Sequence, residues 1–240
     1  DDWEYGGFLA ATDEEDYVSG GEKHTEPRAL FSSLRLKRQI LGNSSIGLLY
    51  AGKNTEYEKT GVVDVDGAFR AADWQLAYQL AGAYRDSLED FASSVGFKMG
   101  KQKWLLAARS KYVGEDFDAS QIGFVPWRGT GELTVIGGPR WYFDKGSVRQ
   151  LLIYTGGMTY YEKVDDYVDC TGTLGVNMQF RNNWGYEVSV SGGRSKDQGR
   201  VYDSYEIDYS TWFNIFPSWD ASFYGGIART YNFARDYLGV

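Results

Sequence analysis

Residues 62–84 read VVDVDGAFRAADWQLAYQLAGAY, two alternating runs joined at Ala71-Ala72-Asp73. In the first run Val63, Val65, Gly67 and Phe69 share one face, and Asp64, Asp66, Ala68 and Arg70 the other. In the second, Trp74, Leu76, Tyr78, Leu80, Gly82 and Tyr84 oppose Gln75, Gln79 and Arg85, with small alanines between. Successive strand side chains point to opposite faces, so the pattern predicts an antiparallel hairpin with one apolar and one polar face. The polar face mixes charges with small residues, and aromatics sit at the ends of the apolar face. A tilted strand needs roughly 9–11 residues to cross a bilayer, and both runs reach that length. The expectation is an all-β chain, an antiparallel transmembrane β-barrel of the outer-membrane type, apolar outside and wet inside.

Working outward, the composition points the same way. No uninterrupted apolar run approaches the roughly 20 residues of a spanning helix, and the mean hydropathy is only −0.45. A barrel escapes this test because only every second residue faces lipid. The 240 residues include 19 Tyr, 8 Trp and 30 Gly but only 4 Pro. Tyr and Trp favour places where one end is apolar and the other wet. Scarce proline suits a continuous ladder, since each proline removes a donor. A net charge of −8 argues against nucleic acid as a partner. A single cysteine, Cys170, excludes an internal disulfide framework and a Cys-rich metal site; on an apolar strand face it reads as a small hydrophobe. Asp1-Asp2-Trp3 has neither the basic nor the apolar region of a signal peptide, so the chain reads as a processed or internal segment.

The same alternation recurs along the chain. Leu34 and Leu36 oppose Ser33, Arg35 and Lys37; Val168, Cys170, Leu174, Val176, Met178 and Phe180 oppose Asp169, Thr171, Thr173, Asn177, Gln179 and Arg181. About thirteen strands are expected in all. Short turns near 42, 72, 101, 145, 182 and 218 alternate with longer polar stretches, including 13–27, 52–60, 113–128 and 194–203. Outer-membrane barrels sort short periplasmic turns from longer external loops in this way. Four short turns are followed by tryptophan: Trp74, Trp104, Trp184 and Trp219. With Tyr84 and Tyr112 these are the expected aromatic girdle. A soluble sandwich or up-and-down barrel with core tryptophans is the competing reading, but it gives no reason to sort loops by length. An odd strand number, and ends without a terminal aromatic strand, lead to the expectation that the chain is part of a larger barrel, since open strand edges are costly in hydrocarbon.

The segment Leu34–Glu56, LRLKRQILGNSSIGLLYAGKNTE, resembles a bacterial outer-membrane family. Its members carry a family 9-like carbohydrate-binding domain followed by a C-terminal domain of unknown function, read as a barrel. The likeness runs through the 62–84 hairpin and reappears in VGEDFDASQIGFVPWRG, where Gly114, Asp116, Phe117, Gly123, Phe124, Val125 and Arg128 match the family pattern. A proline common after the aromatic-acidic pair is absent at Asp118-Ala119-Ser120. The resemblance covers about Leu34 to Gly129. It implies an outer-membrane location in a Gram-negative-type bacterium, and saccharide binding or uptake as the connected activity. The carbohydrate-binding domain itself is not in these residues, so sugar affinity attaches to no residue here.

On the polar face, Asp64, Asp66, Arg70, Gln75, Gln79, Lys103, Arg109, Lys111, Asn177 and Gln179 are the expected lumen-facing residues. They read equally as the lining of a polar pore and as a salt-bridge network filling a closed interior. His24 is the only histidine, so no triad with a histidine base and no multi-histidine metal site can be built. Carboxylates at Asp13–Asp16, Glu115–Asp118 and Asp165–Asp166 would be the raw material of a surface glycoside hydrolase, but on exposed loops they read more plainly as solvated groups or cation ligands near lipopolysaccharide. Lys37-Arg38 reads as a solvated turn rather than a head-group site. The sequence thus predicts no cofactor and no enzyme. Its partners would be the bilayer and lipopolysaccharide, with a saccharide or a periplasmic or outer-membrane protein in addition. Three functions are open, in this order: a channel or conduit, an anchor within an outer-membrane assembly, and last a surface glycoside hydrolase using the loop carboxylates.

Overall fold

The computed structural model describes residues 2–123, 125, 127–197, 199–216, 219–232 and 237–239. Among them regular structure is entirely β, and no helix long and apolar enough to cross a membrane is present. One large antiparallel sheet holds thirteen long strands, with the three-residue strand 237–239 beside the last of them. Sheet order follows chain order, except that a small hairpin, β2 (Glu15–Ser19) with β3 (Glu22–Glu26), stands apart. The long strands are β1 (Trp3–Thr12), β4 (Ala29–Ile40), β5 (Ser44–Thr55), β6 (Lys59–Arg70), β7 (Trp74–Arg85), β8 (Ser87–Lys101), β9 (Trp104–Val113), β10 (Thr130–Tyr142), β11 (Val148–Glu162), β12 (Tyr167–Phe180), β13 (Trp184–Asp197), β14 (Arg200–Phe216) and β15 (Trp219–Asn232); β16 is Tyr237–Gly239. The chain forms two compact units, 1–95 with 111–130, and 96–110 with 131–240.

In the first unit the expected hairpin is present in the expected register. Val63 pairs with Gly82, Val65 with Leu80 and Phe69 with Leu76; Asp64 pairs with Ala81, Asp66 with Gln79 and Arg70 with Gln75. The rows continue through the neighbouring strands. Leu36, Leu48, Val65 and Leu80 form one row, and Lys37, Gly47, Asp66 and Gln79 the next. Burial runs opposite to a water-soluble sheet. Leu80 on the apolar face is 53% exposed, while Asp64 on the polar face is 3% exposed. Ala68, Ala81 and Ala83 are buried with Asp64, and Leu48, Val63 and Val65 are exposed with Leu80.

The second unit repeats the two-faced pattern. Leu174, Val190, Ile207 and Ile227 make an apolar row, and Gly175, Ser189, Asp208 and Gly226 the adjacent row of the other face. Leu174, Val190, Ile207 and Ile227 are all exposed.

The many glycines and aromatics meet each other across these ladders. Gly67 pairs with Tyr78 and Gly61 with Tyr84, while Gly175 pairs with Tyr154, Gly185 with Trp212 and Gly225 with Tyr209. In each pair the aromatic side chain, ring or hydroxyl, lies where a Cβ on the glycine would stand, within 2.2–2.7 Å of it. A ring over a strand glycine restores the packing that the missing side chain gives up.

Several polar stretches read as loops are strand. The 13–27 stretch contains the β2–β3 hairpin, turned by Gly20 and Gly21 at φ 63° and 88°, as a two-residue turn with two positive φ angles requires. The 52–60 and 194–203 stretches are ladder except at their tips, because β5 reaches Thr55, β6 begins at Lys59, β13 reaches Asp197 and β14 begins at Arg200. A ladder needs only backbone partners, and opposite charges on its exposed ends pair across it, as Arg194 and Asp203 do at 2.8 Å. The strict alternation of short turns with long polar loops is therefore corrected. Only 13–28, which carries the small hairpin, and 114–129 are long connections among the described residues. The expected 217–218 turn lies outside the described residues.

Candidate functional site: a segment folded against the polar face

The 114–129 connection does not stand away from the sheet. Its ends meet where the Gly129 amide donates to the Gly114 carbonyl at 3.2 Å, and Gly114 is tied to the Phe91 carbonyl at 3.0 Å. A tight turn follows inside it, with the Ile122 and Gly123 amides both donating to the Ala119 carbonyl. Phe117, 4% exposed, packs with Ala81, Ala83 and Val113. The alanines of β7 provide the room: a larger side chain at 81 or 83 would occupy the space of the ring.

Charge holds the same segment. Asp118 accepts from Arg85 at 3.1 Å and lies 3.7 Å from Arg128. The Ser120 amide donates to Asp118 at 2.9 Å, and this bond, then the Ser120 hydroxyl, Arg128 and Arg85, hold the carboxyl below its ordinary value of 3.8. Lys53, 8% exposed, donates to Gln121 at 2.9 Å and to Glu26 at 2.7 Å. A lysine is rarely buried to that degree without partners.

Between this segment and the strands lies a cavity of about 440 Å³. Its wall is mostly apolar, with Leu49, Val62, Phe117, Ile122 and Val125; Asp64, Gln79 and Lys111 supply polar groups, and Trp127 also borders it. One carboxylate oxygen of Asp64, Oδ1, is buried without a hydrogen-bond partner. Its neighbour Asp66 is engaged by Arg35 through two bonds, one of them 2.8 Å from Arg35 Nη2 to Oδ1. That bridge passes over Gly47, where a Cβ would meet Arg35 at 2.7 Å.

Of the residues expected on a lumen face, Asp64, Gln79 and Lys111 therefore meet at one cavity, with Asp66 beside them. Arg70 and Gln75 pair with each other near the 71–73 turn, at 3.3 Å, and Arg70 also binds the Asn43 carbonyl at 3.0 Å. In the second unit Asn177 donates to Glu187 at 2.8 Å, and Gln179 accepts from Arg149 at 2.7 Å. Glu187 also accepts the Tyr154 hydroxyl at 2.6 Å. Arg109 is exposed on β9. Lys103 is corrected: it lies in the turn before β9, not on the strand.

The aromatic candidates Trp74, Trp104, Trp184 and Trp219 each open a strand, β7, β9, β13 and β15, and all are exposed. Tyr84 and Tyr112 stand one residue from the opposite ends of β7 and β9. Tyr84 shares a 3.1 Å hydrogen bond with Tyr50, and Tyr112 packs on Phe91 at 5.0 Å.

Arg35, Lys53 and Gln121 were not among the candidates, Phe117 stood only as a match to the family pattern, and Asp118 only as a loop carboxylate. The alternation of 33–37 already put Arg35 opposite the leucines, and Phe117 is a lone large hydrophobe inside an acidic stretch. Lys53 and Gln121 had no signal, because a 2.9 Å contact between residues 53 and 121 exists only in the fold. The acidic runs do not converge on a metal site: among the described residues no group of three or more His, Cys, Asp and Glu does so. His24 stacks on Tyr17 at 5.4 Å.

No family model, no curated protein and no solved structure matches this chain.

Proposed function

We propose that this chain forms the wall of a β-barrel in the outer membrane of a Gram-negative-type bacterium, with its polar face toward an aqueous interior through which small polar solutes pass. The observation that carries the reading is the inverted burial of β4–β7: Leu34, Leu48, Val63, Val65 and Leu80 are exposed and Asp64 is buried. In water such a face is an aggregation hazard; against lipid tails it is the required surface. Aromatics at the strand ends support the same reading, since indole and phenol rings settle at head-group level. Closure of the sheet into a barrel and contact with lipopolysaccharide belong to the proposal. Saccharides are the solute class that the family resemblance implies. Purified protein added to planar bilayers should give discrete conductance steps. Silence under all voltages and salts would count against a conduit.

One observation favours a second reading, an anchor with a closed interior. The 114–129 segment is pinned to the polar face by Phe117, Asp118 and Gln121. On that reading wild-type protein is silent, and loosening the segment by Phe117→Ala does not open it.

A further inference from the structure

The cavity under the 114–129 segment has a use that neither a conduit nor an anchor requires. It is enclosed within one compact unit, between β5–β9 and the folded segment. Ligand pockets of about 300–1,000 Å³ with apolar walls and a few placed polar groups are the ordinary form of a small-molecule site, and this one measures about 440 Å³. Asp64, whose carboxyl also interacts with Gln79, is the polar group of the cavity with an oxygen left over. It is 3% exposed, it borders the cavity, and its Oδ1 has no partner. The nearby guanidinium of Arg35 is committed to Asp66. A buried carboxylate oxygen without a donor is costly, more so than a neutral group.

We infer that this cavity binds a small primary amine with an apolar body, the ammonium donating to Asp64 and the body packing among Phe117, Ile122, Val125 and Trp127. A charge-assisted bond from an ammonium supplies the missing donor at the strongest available strength, while the aromatic and aliphatic wall takes the carbon skeleton. The inference rests on the fold of residues 1–95 and 111–130, not on the membrane reading, so a silent bilayer experiment leaves it standing.

The test is calorimetric titration of the full chain in detergent micelles with phenethylamine, and with phenylacetate as the matched acid. Phenethylamine should bind saturably at one site per chain, and phenylacetate should give no saturable heat. Asp64→Asn should weaken the amine by about tenfold, the loss of one charge-assisted bond. Ala51→Leu should abolish binding by filling the cavity while leaving the carboxylate in place. Both variants are first shown to keep wild-type β circular dichroism; should the cavity-filling variant fail, Leu49→Phe, which also borders the cavity and leaves Asp64 in place, carries the same expected loss, and should Asp64→Asn fail, the contrast between phenethylamine and phenylacetate on the wild type decides. Unsaturable heat from phenethylamine, equal affinity in Asp64→Asn, or phenylacetate binding as well as the amine would each overturn the assignment.

Discussion

Gly175 has no side chain because Tyr154 uses the space: a Cβ there would come within 2.2 Å of the ring. The phenol then reaches Glu187 at 2.6 Å, so the glycine positions a polar contact as well as a ring. Gly175→Ala should cost about 1–3 kcal/mol through overpacking. In denaturant titrations the double variant with Tyr154→Leu should recover part of that loss, since contacting residues couple. Additive losses would show that the ring and the glycine are independent. Asp118 allows a prediction of a different kind. Its carboxyl is held below 3.8 in the fold, so its contribution is present above the unfolded value and lost as pH falls through the folded one. Hydrogen exchange at the Ile122 and Gly123 amides, corrected for intrinsic rates, should therefore lose protection below about pH 3.8. In Asp118→Asn the protection should be weaker at neutral pH and flat through that range.

At the scale of elements, the β6–β7 hairpin was legible because its two faces differ in chemistry at every step. Val65 against Asp66 and Leu80 against Gln79 leave one register in which all apolar groups share a face. The small β2–β3 hairpin and the extended tips of β13 and β14 were not legible. Glu15–Glu26 and Arg194–Asp203 are polar on both faces, so nothing in side-chain period separates ladder from loop there. Backbone pairing carries both, helped in the small hairpin by the Thr25 hydroxyl donating to Asp16 at 2.7 Å and in the β13–β14 tips by the Arg194–Asp203 pair. The hairpin also yields the most direct energetic contrast. If β7 lies in lipid, Leu80→Arg near the midplane should destabilise by about 2–4 kcal/mol. Gln79→Arg, on the opposite face, should cost much less. Urea-dependent folding into lipid vesicles measures both, and equal costs would remove the distinction between faces.

At the scale of the whole molecule, two features bear on what the protein can do: strands with an exposed apolar face, and a long connection turned back onto the polar face. The first was readable from sequence, since period-two alternation and aromatic strand ends need no tertiary information. The second was not. Residues 113–128 looked like an external loop because they are acidic and glycine-bearing, and only the fold brings Phe117 to Ala81 and Ala83. Phe117→Ala should free the segment and raise protease sensitivity between 114 and 129 while the strands stay protected. Beneath both features lies the claim that one face meets lipid and the other water. Spin labels placed singly along residues 75–84, in a Cys170→Ser background in lipid bilayers, test it most directly. Collision rates with oxygen should peak at 76, 78 and 80, and those with a water-soluble nickel chelate at 75, 77 and 79, the two profiles alternating out of phase. Profiles that rise and fall together, or chelate access at 76, 78 and 80 equal to that at 75, 77 and 79, would contradict the account.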